Sequence, residues 1–359
     1  MKVFDKLGAL LGALPRALSS REEVDTLLEI AGRRRMPRLV LLTASDEDER
    51  LLLRGLFEIE GEPLTIRERE GDADGRWSVV EIRGEKLALL KLRPGREAAG
   101  IFRSAHDEGS ADAIVAFGSV GEEEALRYSI LEMLHACDEG DVSPATLLLL
   151  AEPTGGSGLE ARKAIKEDFA RVGYSVYRVF VRSEGEVRGA LAGFSLLSDA
   201  LVELTELRIR IILCRTLPRA KKAREELSDR MIDAFSAIAG AVALTPIPLA
   251  DAAIITPLQG VMVTLVGYVS GRPLSRKTLA EAFASLGVVT AAGFGLRLVA
   301  RQAVKIVPGA GSAAAAAIAL NGTKALGKAA KLYFVGTSGA PNPKAPKGGG
   351  TVARLNSGS

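Results

Sequence analysis

Apolar side chains at Phe4, Leu7, Leu11 and Leu14 recur at helical spacing over residues 2–14 and stop at Pro15, which predicts an amphipathic helix. A second helix, over about 20–32, ends at Gly32 and the basic run Arg33-Arg34-Arg35. Together they form an N-terminal helical arm, residues 1–36, expected to pack on the domain that follows it. A membrane-surface anchor is the competing reading of this arm. From Pro37 the period changes. Short apolar runs at 38–43, 112–119, 145–152 and 175–181 read as buried strands, and 77–83 and 86–92 read as a hairpin turned at Gly84-Glu85. Helical stretches over 46–57, about 121–137 and 159–172 separate these strands. Such alternation predicts an α/β domain, residues 37–205, with a mostly parallel sheet and helices on both faces.

Residues 194–233 read as helical, with a break at Pro218, and 206–233 form a charged connector. Beyond it the composition shifts to Ala, Gly, Val and Leu. No charge occurs in 234–250, 252–271, 282–296 or 306–323, so an all-α, Ala/Gly-rich apolar helical domain is expected over 234–335. Pro246, Pro248 and Pro257 should break its first part into short helices joined by a corner, with Asp251 as an N-cap just past it. The Gly/Pro/Ser-rich tail, 336–359, is expected to be disordered.

Charge sharpens this division. Residues 1–233 hold 35 basic and 42 acidic side chains, whereas 234–359 hold 12 basic side chains against Asp251 and Glu281 alone. A basic, apolar C-terminal third suits the anionic cytoplasmic face of a membrane better than nucleic acid. Arg297, Arg301 and Lys305 lie four apart and form one basic stripe; Lys324, Lys328 and Lys331 form a second. These six side chains are the candidate membrane or partner contacts. The segment 252–271 is long enough to span a bilayer, although Pro257 and Gln259 weaken it, so peripheral contact is favoured over spanning. Cys137 and Cys214 are far apart in sequence, so no disulfide is expected and a reducing, cytoplasmic setting follows. No long apolar core follows Met1-Lys2, so no secretion signal is expected. His106 and His135 have no ligand at metal spacing, and neither a metal nor a cofactor is expected.

The succession of strands and the placement of the hairpin resemble a small Era-like GTPase domain. The resemblance implies a phosphate loop, GxxxxGK[ST], between the first strand and the first helix, where backbone N–H groups surround the phosphates. Aligned without a gap, that loop is Thr43-Ala44-Ser45-Asp46-Glu47-Asp48-Glu49-Arg50. Thr43 and Asp48 stand at the glycine positions, Glu49 at the lysine and Arg50 at the hydroxyl that holds Mg²⁺. Where the family has DxPG, the chain has Leu92-Arg93-Pro94-Gly95. Where guanine is read by NKxD, it has Ala151-Glu152-Pro153-Thr154. An acid at the lysine position moves a phosphate's energy by several kcal/mol at ~4 Å and an effective dielectric of ~20. Ser45 or Asp46 as N-cap, with acids in the first turn, accounts for the same residues as an ordinary helix start. The glycine-rich run 155–158 reads as a flexible loop.

Over about 230–334 the blocks "TPIPLADA" (245–252), "KIVPGAGSAAAAAIA" (305–319) and "ALGKAAKLYF" (325–334) resemble the YcjF-like domain found behind bacterial GTPases. The combined resemblance implies a pseudo-GTPase: a non-catalytic scaffold or adaptor that binds protein partners at the inner face of the cell membrane, with homo-oligomerisation open to it. The alternatives are a GTP-binding GTPase with an atypical phosphate loop and a soluble oligomerisation module.

Overall fold

The computed structural model describes residues 2–12, 22–31, 35–58, 67–68, 77–119, 121–137, 144–152, 177–183, 187–244, 254–272 and 310–336, with the single positions Lys163, Glu167, Thr278 and Ala282. The strands are β1 (Arg38–Thr43), β2 (Arg67–Glu68), β3 (Ser78–Ile82), β4 (Glu85–Leu92), β5 (Ala113–Ser119), β6 (Ala145–Glu152) and β7 (Tyr177–Ser183). They form one sheet in the order β2-β3-β4-β1-β5-β6-β7. The five strands from β4 to β7 in that order are mutually parallel, while β3 runs antiparallel to both β4 and β2. The hairpin turns at Arg83-Gly84, one residue earlier than the sequence suggested. Both residues have positive φ, 52° and 76°, as a tight two-residue hairpin turn with right-handed strand twist requires.

Period-two alternation divides the sheet into two apolar faces. Val40, Leu42, Leu90, Leu92, Ile114, Ala116, Leu148 and Leu150 point one way, beneath α4 (Ala98–Glu108) and α5 (Glu123–His135). Leu39, Leu41, Leu87, Leu89, Val115, Phe117, Leu147 and Leu149 point the other way. That second face is covered by α3 (Asp46–Phe57) and α6 (Val187–Leu204), where Gly55 leaves room for the ring of Phe194. A Cβ at Gly55 would lie 2.3 Å from that ring.

The same apolar cluster continues without interruption into the remaining helices: α1 (Lys2–Gly12), α2 (Glu22–Ala31), α7 (Leu207–Thr216), α8 (Lys221–Leu244), α9 (Thr256–Val269) and α10 (Ala310–Phe334). The expected change of composition at 233–234 therefore falls inside one helix, α8, whose break from α7 contains Pro218 as anticipated. The helices α8 and α10 pack antiparallel, close enough that a Cβ at Gly327 would meet Ile232 at 2.7 Å. The N-terminal arm makes its principal contacts with these helices rather than with the sheet. Phe4 packs edge-on against Tyr268 of α9 at 5.2 Å, and α2 lies on α7 and α8. Its apolar stripe, Phe4, Leu7 and Leu11, is buried, so the membrane-anchor reading loses its motive.

The apolar segment read as long enough to span a bilayer is also a core element. Its helix, α9, has 14 residues, about the length of a buried core helix, and Leu258, Met262, Val263, Leu265 and Val266 are buried. Among the described residues no helix is long and apolar enough to cross a membrane. The expected helix at 159–172, the glycine-rich run 155–158, Asp251 and the tail beyond Gly336 lie outside the described residues, apart from Lys163 and Glu167, which are helical.

A shared core has a testable consequence. A fragment ending at Thr205 would strip α7, α8, α9 and α10 from one apolar cluster and uncover part of the sheet side it covers. We expect that fragment to aggregate or to show native-like far-ultraviolet circular dichroism without a cooperative thermal transition. A soluble fragment melting cooperatively would show that the α/β part is independent.

Candidate functional site

In open α/β sheets, ligands settle at the carboxyl ends of the strands where successive connections leave to opposite sides of a strand. Here that strand is β1, flanked by β4 and β5, so the crevice expected from this rule lies beyond Thr43. The residues compared with a phosphate loop from the sequence, 43–50, start there.

The loop is short. β1 ends at Thr43 and α3 begins at Asp46, so Asp46–Arg50, five of the eight aligned positions, are already helical. Ser45 is the N-cap, as expected: its Oγ accepts from the Asp48 N–H at 3.1 Å and donates to Asp48 Oδ2 at 2.6 Å. The Glu49 N–H donates to the Ser45 carbonyl at 3.1 Å. The amides of Asp48 and Glu49 are thus engaged within the helix start. The next loop is closed in the same way. Ser119 N–H donates to Glu122 Oε2 at 2.8 Å and Gly121 N–H donates to the Glu123 carboxylate.

The acids of the α3 start do not face an empty site. Arg93, one residue past the end of β4, reaches across the crevice mouth. Its Nη1 donates to the carbonyl oxygen of Thr43 at 3.4 Å and to the Thr43 hydroxyl, and its Nη2 donates to Asp46 and, at 2.9 Å, to Glu49 Oε2. Lys91 takes the other oxygen of Glu49 at 3.1 Å. Hydrogen bonds to Asp46 and Glu49 raise the Arg93 pKa above its ordinary value, outweighing burial, which acts in the opposite direction and is the largest single effect. Glu49, at the lysine position, is thus an internally paired acid with its side chain 18% exposed, while Arg50 is exposed.

Arg93 and Lys91 were not singled out from the sequence, because no local pattern announces a cation whose partners lie more than forty residues away. The available signal was charge balance: four acids in one helical turn need neighbouring cations. The other positions compared from the sequence have ordinary structural surroundings. Leu92 is 4% exposed in the core beneath α4 and α5. Ala151 lies in β6, in register with Ser119 and Arg182, and Thr154 lies outside the described residues.

The basic stripes separate. Lys324 pairs with Asp233 and Lys331 with Asp229, each at 2.7 Å, so two of the three form a charged seam between α10 and α8. Lys328 is exposed. Arg297, Arg301 and Lys305 lie outside the described residues.

Among the described residues no group of His, Cys, Asp and Glu side chains is arranged to hold a metal ion. Cys214 is fully buried, and burial pushes its thiol up to about 12. No protein-family model matches the chain, and no curated protein matches it either.

The ion cluster is half-exposed and therefore worth little per pair, but its salt dependence is specific. Arg93→Gln is expected to lower stability in urea by about 1 kcal/mol at low salt. The loss should shrink at about 1 M salt, where the screening length is about 3 Å. A loss independent of salt would mean that Arg93 acts through packing alone.

Proposed function

We propose that this protein is a non-catalytic, GTPase-like scaffold that acts by binding protein partners. One observation carries the proposal: the crevice where a nucleotide's phosphates would lie is bridged by Arg93, which bonds to Thr43, Asp46 and Glu49. A triphosphate would have to displace an intramolecular cation, break the Glu49 pairs and then meet those carboxylates at close range. The antiparallel hairpin strand beside β4, followed by β1, β5, β6 and β7, supports the GTPase-like part of this reading. The rival reading, a GTPase with an atypical loop, would need amide groups that Ser45, Glu122 and Glu123 already occupy.

Calorimetry with GTP or ATP and Mg²⁺ is expected to show no binding at millimolar nucleotide. Micromolar affinity for either would overturn the proposal. Glu49→Lys alone should not create binding, since Leu92 remains a core side chain and the amides remain capped.

The excess of cations over acids beyond residue 233 supports an anionic membrane surface as the place of action. Because Lys324 and Lys331 have carboxylate partners, only Lys328 of their stripe joins the proposed lipid contact, and the other stripe, Arg297, Arg301 and Lys305, carries most of it. Changing all three to glutamine should weaken binding to anionic vesicles by roughly two orders of magnitude, at about 1 kcal/mol per cation. Neutral vesicles should show little change. Equal binding of variant and parent to anionic vesicles at low salt would reject this surface.

A further inference from the structure

Two rigid elements meet at the Arg93 cluster: α3 supplies Asp46 and Glu49 at its first turn, and β4 leads directly into Arg93. Their far ends meet again elsewhere, at the turn between α7 and α8. Arg219, in that turn, donates from Nη1 to the carbonyl oxygens of Arg54 (3.3 Å), Gly55 (2.8 Å) and Glu58 (2.9 Å), and so closes the C-terminal end of α3. Arg215, in the last turn of α7, holds the start of β4. Its Nε pairs with Glu85 Oε1 at 3.5 Å, and its carbonyl accepts from Arg83 Nη1 at 3.2 Å.

Arg215 also reaches the C-terminal end of α9. Its Nη1 donates to the carbonyls of Tyr268 (3.2 Å) and Arg272 (3.4 Å), and its guanidinium lies over the Tyr268 ring at 4.7 Å. The approach is close: a Cβ on Gly271, whose φ is +76°, would come within 2.5 Å of Arg83 Nη1. Tyr268 in turn packs on Phe4 of the N-terminal arm.

We propose that the turn joining α7 to α8 is a lever by which the helical bundle controls the crevice: it grips the far ends of both elements whose near ends build the Arg93 cluster. A shift of α9 or of the arm moves Arg215. Both α3 and β4 are hydrogen-bonded along their lengths, so they transmit displacement rather than absorb it. Loosening the grip at 215–219 therefore loosens the bonds between Arg93 and the start of α3. The coupling is mechanical and independent of nucleotide binding.

The test is native-state hydrogen exchange on the full chain, comparing the parent with Arg215→Gln, Arg219→Ala and the double variant. Amides of Asp48, Glu49 and Arg50 should exchange about tenfold faster in each single variant and faster still in the double, while β5 amides at 113–117 remain unchanged. In an Arg93→Gln background the same substitutions should add little, because the link they act through is already cut. Should Arg219→Ala fold poorly, Arg219→Lys keeps the charge, shortens the reach to the three carbonyls and should give the same pattern in weaker form. Acceleration confined to 54–58 and 83–87 would overturn the proposal. So would equal acceleration at 113–117, which is general destabilisation.

Discussion

One face of the central sheet is too apolar to meet water, and the architecture follows from what covers it. Leu39, Leu41, Leu89, Val115, Phe117, Leu147 and Leu149 are fully buried on that face. At about 25 cal/mol per Å² of apolar surface, leaving such a row exposed would cost more than a whole domain's net stability. The helices α3 and α6 cover it directly, and Leu197, Ala200, Leu201 and Val202 of α6 belong to the same apolar cluster. The cluster therefore grows outward through α7 and α8 to α9, α10 and the N-terminal arm. Segments from both ends of the chain are drawn into one core.

Packing helices against one another leaves their ends with unmatched backbone groups, and side chains from other segments supply the partners. Arg224 of α8 donates to the carbonyls of Cys214 at 2.9 Å and Leu217 at 2.9 Å, closing the end of α7 although burial lowers its own pKa. Asp199 of α6 accepts from the Ala223 N–H at 3.0 Å and serves the start of α8, its carboxyl raised by burial. Arg219 does the same for the end of α3. Each cap joins two different elements, so these charged residues fix geometry that the apolar core leaves free.

The strands other than the two-residue β2, and the start of α3, were legible because their signals are local. The run "RLVLLT" is β1 to the residue, and Ser45 before four acids is a helix start by capping and dipole alone. The helix α4 was not read from the sequence: among its 11 residues only Ala98, Phe102, Ala105 and His106 are buried, too thin a stripe to stand out. What could not be read was whatever depends on distant partners. The apolar segment around Leu258–Val269 looks alike whether lipid or other helices surround it, and the fold chooses helices. Lys324 and Lys331 look like a solvated stripe until α8 brings Asp229 and Asp233 beside them. The crevice is the sharpest case. Its acids were legible and their partner Arg93 was not.

The same physics that makes a helix start attractive to phosphate accounts for the charges found at this one. The N-terminus of α3 carries partial positive charge and unpaired N–H groups, and an anion there is stabilising from whatever source. In this chain the anions are the chain's own: Asp46, Glu47, Asp48 and Glu49 lie in the first turn. Four carboxylates in one turn repel one another, and the dipole of a 12-residue helix does not balance them. A cation must then approach from outside the helix, and the end of β4 is at hand, held beside β1 by parallel pairing of Leu92 with Leu42. The residue after that pair is Arg93. Its planar fork can serve the β1 carbonyl edge and two carboxylates at once, which the point charge of a lysine could not do. Acid-rich helix start and arginine at the strand end are therefore one device. Altering either alone leaves an unbalanced charge at the mouth of the crevice.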